Sequence, residues 1–157
     1  MTQHRADLDV LMLRLGRDLA LRYPGPAGWW EEADLDVARR PGLRDVAVAS
    51  ELAAADQLLV NRLKTRRGEL AALGHPDYGS RHHELIGEPN TERTRNLVKR
   101  HVLECLAQEP RIARVESCTV SPDPARRDAV RIVISVRLID HDDPRNLVVP
   151  FSLETAA

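Results

Sequence analysis

Apolar and polar positions alternate most regularly near the C-terminal end of the chain. Val130, Ile132, Ile134, Val136 and Leu138 lie two apart, with Arg131, Val133, Ser135 and Arg137 between them, the period of a strand with one face in a core. Leu147, Val149, Phe151 and Leu153 repeat that spacing, and 112–120 reads as a third strand. Short loops at 121–128 and 140–145 allow these three to form an antiparallel meander. Upstream the period changes to that of a helix over 91–108. Thr94, Leu97, Val98, His101, Val102, Cys105 and Leu106 fall on one face, Asn90 or Thr91 caps the start, and Pro110 prevents continuation.

A second helix is expected from Ser50 as N-cap to about Lys64, with Leu52, Ala55, Leu59, Val60 and Leu63 on its apolar face and Gln57, Asn61 and Arg62 on others. After it, 69–73 reads as extended, 74–79 as a Gly/Pro-rich turn, and 81–86 as one or two helical turns. Near the N-terminus the apolar residues fit both periods; Gly16 favours a helix over 7–15 and a short strand over 18–22. Leu35 and Val37, then Val46 and Val48, alternate across Pro41-Gly42 as a short hairpin or two edge strands.

Composition narrows the function classes. At 157 residues, 43% hydrophobic and 30% charged, the chain has the size and balance of a soluble globular domain, so it can bury a core without staples. A net charge of -1 gives no general pull on nucleic acid or anionic membrane, and aromatic residues at 3% supply no base-stacking platform. No apolar run is long enough to span a bilayer, and the N-terminus lacks a signal-peptide pattern. Cys105 and Cys118 read as small buried residues. The adjacent Trp29 and Trp30 follow a Pro/Gly loop and read as a core cover or a partner anchor.

No set of residues has catalytic or metal-site spacing. Glu69 and Asp77 are the nearest to a glycosidase pair but lie in polar, turn-rich sequence, where nothing would raise a carboxyl pKa. His75, His82 and His83, and the run Asp140-His141-Asp142-Asp143, match neither a zinc site nor a calcium loop. Arg93, Arg95, Lys99 and Arg100 read as a solvated helix face. Catalytic, cofactor and metal sites are therefore expected to be absent.

Four ordered pieces point elsewhere: Asn61-Arg62-Leu63-Lys64-Thr65 with Gly68-Glu69, then His75-Pro76-Asp77-Tyr78-Gly79-Ser80, then Glu84-Leu85-Ile86-Gly87-Glu88-Pro89, then Glu109-Pro110-Arg111-Ile112 before the strands. In order and spacing they resemble the baseplate wedge and sheath-initiator proteins of contractile phage tails, type VI secretion baseplates and extracellular injection particles, a family also labelled lysozyme-like. The resemblance spans 52–153. It departs at the N-terminal portion, which is longer than the shortest members need, and at His82 and His83, where an apolar residue is expected.

The helices and the meander together give an α+β fold, a small antiparallel sheet packed against two principal helices, and the resemblance implies that it is similar to the strand-exchange domain of contractile sheath proteins. The resemblance also implies an N-terminal arm at 1–49 and a wedge domain at 50–157. The implied role is structural: several copies in a sixfold assembly, built in the cytoplasm of the producing cell, template the first sheath ring. Sheath protein and baseplate wedge proteins are the implied partners, with inner tube and spike or hub proteins as further candidates and no cofactor. Glu109, Pro110 and Arg111 would meet the wedge proteins. Strand addition would use 130–138, presenting Arg131, Val133, Ser135 and Arg137, or 147–153, presenting Leu147, Val149 and Phe151. Which of the two is the edge stays open, and the alternative reading is a lysozyme-like hydrolase of peptidoglycan.

Overall fold

The structure is a computed structural model that describes residues 15–22 and 33–154. Trp29, Trp30 and all but the last residue of the helix expected over 7–15 lie outside it. The chain divides into two compact units, Met1–Leu58 and Leu59–Ala157.

Among the described residues of the first unit, six short strands pair as three antiparallel ladders. They are β1 (Arg17–Leu19) with β6 (Val48–Ser50), β2 (Leu21–Arg22) with β3 (Asp34–Leu35), and β4 (Val37–Arg40) with β5 (Leu43–Val46). The last is the hairpin expected across Pro41-Gly42, with Gly42 at φ 77 making the turn. Ala20, Asp36 and Ala47 sit where the ladders meet, and their backbones close a ring. Ala20 N–H donates to the Ala47 carbonyl at 2.8 Å, Ala47 N–H to that of Asp36 at 2.9 Å, and Asp36 N–H to that of Ala20 at 2.8 Å. Each hub residue thus satisfies one donor and one acceptor that a two-residue ladder would leave open.

Helix α1 (Leu52–Lys64) follows. Ser50 is the last residue of β6, and Glu51 turns the chain at φ 52, so the expected Ser50 cap is replaced by a left-handed turn. Gln57, assigned to an outer face, is buried. Its amide donates to the Leu19 carbonyl at 2.9 Å and accepts from Leu21 N–H at 2.8 Å, standing in for the neighbouring strand that β1 and β2 lack on that side.

In the second unit the chain forms 3-10 turns at Ala71–Leu73 and Arg81–Leu85, helix α2 (Glu92–Leu106), and strands β7 (Ile112–Pro122), β8 (Ala129–Leu138) and β9 (Arg145–Ser152). The turn at 71–73 corrects the extended reading: Gly74 at φ 86 closes it through a hydrogen bond to the Ala71 carbonyl. Thr91 caps α2, its Oγ1 accepting from Thr94 N–H at 3.2 Å, and Glu92 adds favourable charge in the first turn. Thr94, Val98, Val102, Cys105 and Leu106 form its buried face.

The sheet is the expected meander, in the order β7-β8-β9. Ala129, Val130, Ile132, Ile134, Val136 and Leu138 of β8 are essentially inaccessible, and register places Val130 against Phe151, Ile132 against Val149 and Ile134 against Leu147. Burying each larger side chain here contributes about 1.5–3 kcal/mol. His82 and His83 belong to this core. His82 is fully buried, its ring edge-on to Phe151 at 4.4 Å, with Nδ1 2.7 Å from Ser80 Oγ. His83 lies 4.2 Å from it and bonds the Leu63 carbonyl through Nε2 at 2.8 Å. The two imidazoles fill the apolar position by packing as aromatics, each with one ring nitrogen hydrogen-bonded.

Candidate docking corner and sheet edge

The Glu-Pro-Arg corner brings the end of α1 against the turn after α2. Pro110 stops the helix, so the backbone turns and Ile112 N–H bonds the Glu109 carbonyl at 3.1 Å. That turn points the Glu109 carboxylate inward, where it is buried. One oxygen, Oε2, accepts from Arg62 Nε at 3.3 Å; the other, Oε1, accepts from Arg111 N–H at 3.2 Å and lies 3.4 Å from Arg111 Nη1. Arg62 also donates through Nη2 to the Gln108 carbonyl at 3.4 Å, and its guanidinium lies 4.6 Å from the centre of the Tyr78 ring. Burial pushes the Tyr78 hydroxyl pKa up, with the Arg62 charge opposing it.

The loop before Ser80 delivers Tyr78. Ser80 N–H bonds the Thr65 carbonyl at 2.9 Å and Arg67 N–H bonds the Ser80 carbonyl at 3.2 Å, closing the 66–80 excursion onto the end of α1. Gly79, at φ 96, makes that approach possible: a Cβ there would lie 2.6 Å from the Thr65 carbonyl oxygen. Beside it is an open cleft of about 340 Å3 lined by Arg62, Tyr78, His75, Asp77 and Gln108 among others.

Arg62 and Tyr78 are the residues that sequence reasoning missed. Helical spacing put Arg62 on an outer face, whereas it is buried beside Leu63 by its carboxylate partner. The only signal was that both lie within the ordered pieces of the family pattern. Of the motif itself, Glu109 is committed to the chain's own interior, leaving Pro110 exposed and Arg111 half-buried at the surface.

The sheet corrects one of the two expected platforms. β8 pairs with β7 on one side and β9 on the other, so its backbone groups are taken up and it cannot receive a further strand. Arg131, Val133, Ser135 and Arg137 lie on its less buried face, where Arg137 Nε bonds Glu116 Oε1 at 3.0 Å. Arg114 and Arg137 beside Glu116 hold its carboxyl below the usual range.

β9 is an edge, since no further strand pairs with it among the described residues. Leu147, Val149 and Phe151 point their side chains into the core. Pro150 has no N–H, and its register partner Arg131 is opposite it, so this pair must be a non-hydrogen-bonded one. Alternation then directs Leu147, Val149 and Phe151 toward β8 through their backbones and turns those of Asn146, Val148 and Ser152 outward. Asn146 to Leu153 carries no Lys, Arg, Asp or Glu, so Pro150 is the guard on this edge. The opposite edge, β7, carries two register irregularities near Arg114 and Ser117, which kink it.

A family model described as baseplate wedge protein gp25 matches residues 50–143, which includes α1, the loop closed by Ser80, α2, the Glu-Pro-Arg corner, β7 and β8. The chain belongs to that family. Among solved structures, a crystal structure described as a tail lysozyme from Geobacter sulfurreducens is similar, with 31% identity and a TM-score of 0.56 over 65% of this chain and 90% of that one. No curated protein matches the chain.

Membership makes this a baseplate component of the phage-tail type with the α+β fold expected of it. The label on the Geobacter protein directs attention to Glu69 and Asp77. Both are exposed in the 66–80 loop: Glu69 Oε2 accepts from Arg66 N–H at 2.9 Å, and Asp77 pairs with Arg67 Nη2 at 2.6 Å. Neither has the apolar enclosure that makes a carboxyl group a working acid. No described helix is long and apolar enough to cross a membrane, and no group of three described side chains could hold a metal ion.

Proposed function

We propose that this baseplate protein has a structural, non-catalytic role and seeds the sheath by receiving an extended segment of a sheath subunit along β9. What supports this is the register at Pro150, which turns the Asn146, Val148 and Ser152 backbones outward on a strand that no further strand pairs with among the described residues. The incoming strand gains main-chain hydrogen bonds, and the missing donor at Pro150 limits the registers it can adopt. Pro110 and Arg111 dock on wedge proteins, with Glu109 holding Arg111 in place from beneath. Several copies act together around a sixfold axis, assembled in the cytoplasm of the producing cell without a cofactor.

A proline scan of β9 tests the strand-acceptor reading. Val148→Pro removes only an outward donor and is expected to leave the purified chain folded while sheath rings fail to form. Val149→Pro removes a donor of the β8–β9 ladder and is expected to unfold the sheet. Normal sheath assembly on folded Val148→Pro protein would overturn the proposal. Arg111→Ala tests the corner separately: a folded chain that no longer enters particles is expected, and normal entry would remove Arg111 from the interface.

A further inference from the structure

The three-ladder junction of the first unit presents a feature that the strand-acceptor reading does not use. Each hub residue is flanked on both sides by a large apolar residue: Leu19 and Leu21 around Ala20, Leu35 and Val37 around Asp36, Val46 and Val48 around Ala47. Register pairs them across the ladders as Leu19 with Val48, Leu21 with Leu35, and Val37 with Val46. Because side chains alternate along a strand, all six lie on the face opposite the hub side chains. Five of the six are open, Leu19 at 50% exposed, Leu35 43%, Val37 48%, Val46 40% and Val48 53%, and Leu21 is half-buried; on the other face Ala49 is buried and Leu43 is 57% exposed.

The acidic positions are confined to one face. Arg17 and Arg44, two residues from Leu19 and Val46, share the apolar face and are exposed. Asp18, Asp34, Asp36 and Asp45 lie on the opposite one, and each carboxylate accepts the N–H of the apolar residue that follows it at 2.8–2.9 Å. No acidic position of the described ladders falls on the apolar face. Contiguous apolar patches of roughly 300–600 Å2 are the largest that ordinary monomers expose and commonly mark interaction sites. A second copy laid face to face would bring arginine rims together, which like charge disfavours.

We propose that this face docks a different protein, through a cluster of apolar side chains flanked by carboxylates that meet Arg17 and Arg44. The inference concerns the first unit alone and shares no residue with β9 or the Glu-Pro-Arg corner, so each can fail without the other.

The test is site-specific photocrosslinking of the full-length chain in cells that make the particle. A benzophenone side chain replaces Val48 in one variant and Asp18, on the opposite face, in a control. The expected result is an adduct from position 48 but not 18, joined to a peptide of another protein that carries apolar residues flanked by Asp or Glu. Combining Arg17→Glu with Arg44→Glu should lower its yield at least tenfold, and changing the partner's carboxylates to lysine should restore it. An adduct within the chain overturns the proposal; Trp29-Trp30-Glu31-Glu32 has the same chemistry and is the place to look for one. An adduct to a second copy or to lipid, no adduct, or a yield indifferent to the arginine changes would overturn it equally.

Discussion

Arg62 and Glu109, 47 positions apart, meet at 3.3 Å with side chains only 9% and 3% exposed. The pair joins the end of α1 to the turn after α2, and Glu109 in turn holds the Arg111 backbone. Removing one partner leaves the other's charge buried, so Arg62→Ala and Glu109→Ala should each cost about 3–5 kcal/mol in urea unfolding. Replacing both, as Arg62→Met with Glu109→Leu, should recover most of that loss. If the double variant is as unstable as the sum of the singles, the pair is not the coupled unit described.

Gly79 and Gly74 both have positive φ in the same loop, yet they should respond differently to alanine. At Gly74 nothing lies within 4 Å of an added Cβ, so the cost is that of left-handed backbone, roughly 1–2 kcal/mol. At Gly79 the Cβ would strike the backbone of Thr65 and Arg66, which cannot move without opening the loop onto α1. The loss for Gly79→Ala should exceed about 3 kcal/mol, and equal melting temperatures for the two variants would contradict this account.

The elements legible in the sequence were those whose period repeats many times. Five alternating apolar residues in β8 and four turns of one-sided spacing in α2 leave little freedom, and the meander follows from the short loops between strands. Arg62 was not legible because a charged residue at an outer helical position reads as solvated, and only a carboxylate 47 positions away reverses that. The ladder junction was hidden for a related reason: its strands are two to four residues long, and β1 pairs with β6 across the whole unit. For the edge, a single proline carried the information. Pro150 indicates which backbones face outward, a consequence that emerges only once the pairing with β8 is known.

Cys105 and Cys118 are both buried and unbridged. Burial pushes the Cys105 thiol up to about 11, with the Arg62 charge opposing it, and raises Cys118 too. Neither thiol should therefore form a thiolate at neutral pH in the folded chain. A thiol reagent added to native protein should find almost none of the two groups, and full reaction should appear only with denaturant. Rapid modification of one thiol in the native state would mean that its side of the core opens.

His82 should make the second unit sensitive to mild acid. Its ring packs against Ser80, His83 and Phe151, and burial holds its pKa well below the ordinary value of 6.5, with the charges of His83 and His101 acting in the same direction. His83 is lowered as well, by burial against the opposing hydrogen bond to the Leu63 carbonyl. Below about pH 6.5 the unfolded chain takes up a proton that folded His82 refuses, so its stabilising share is complete above that pH and is lost as pH falls toward the depressed value. The slope for this one group is at most about 1.4 kcal/mol per pH unit. His82→Phe keeps an aromatic ring against Phe151 and removes the titration, at the expense of the bond to Ser80. Urea midpoints taken at about pH 5 and about pH 7.5 should therefore differ less in His82→Phe than in the parent chain. An undiminished difference would place the acid sensitivity elsewhere.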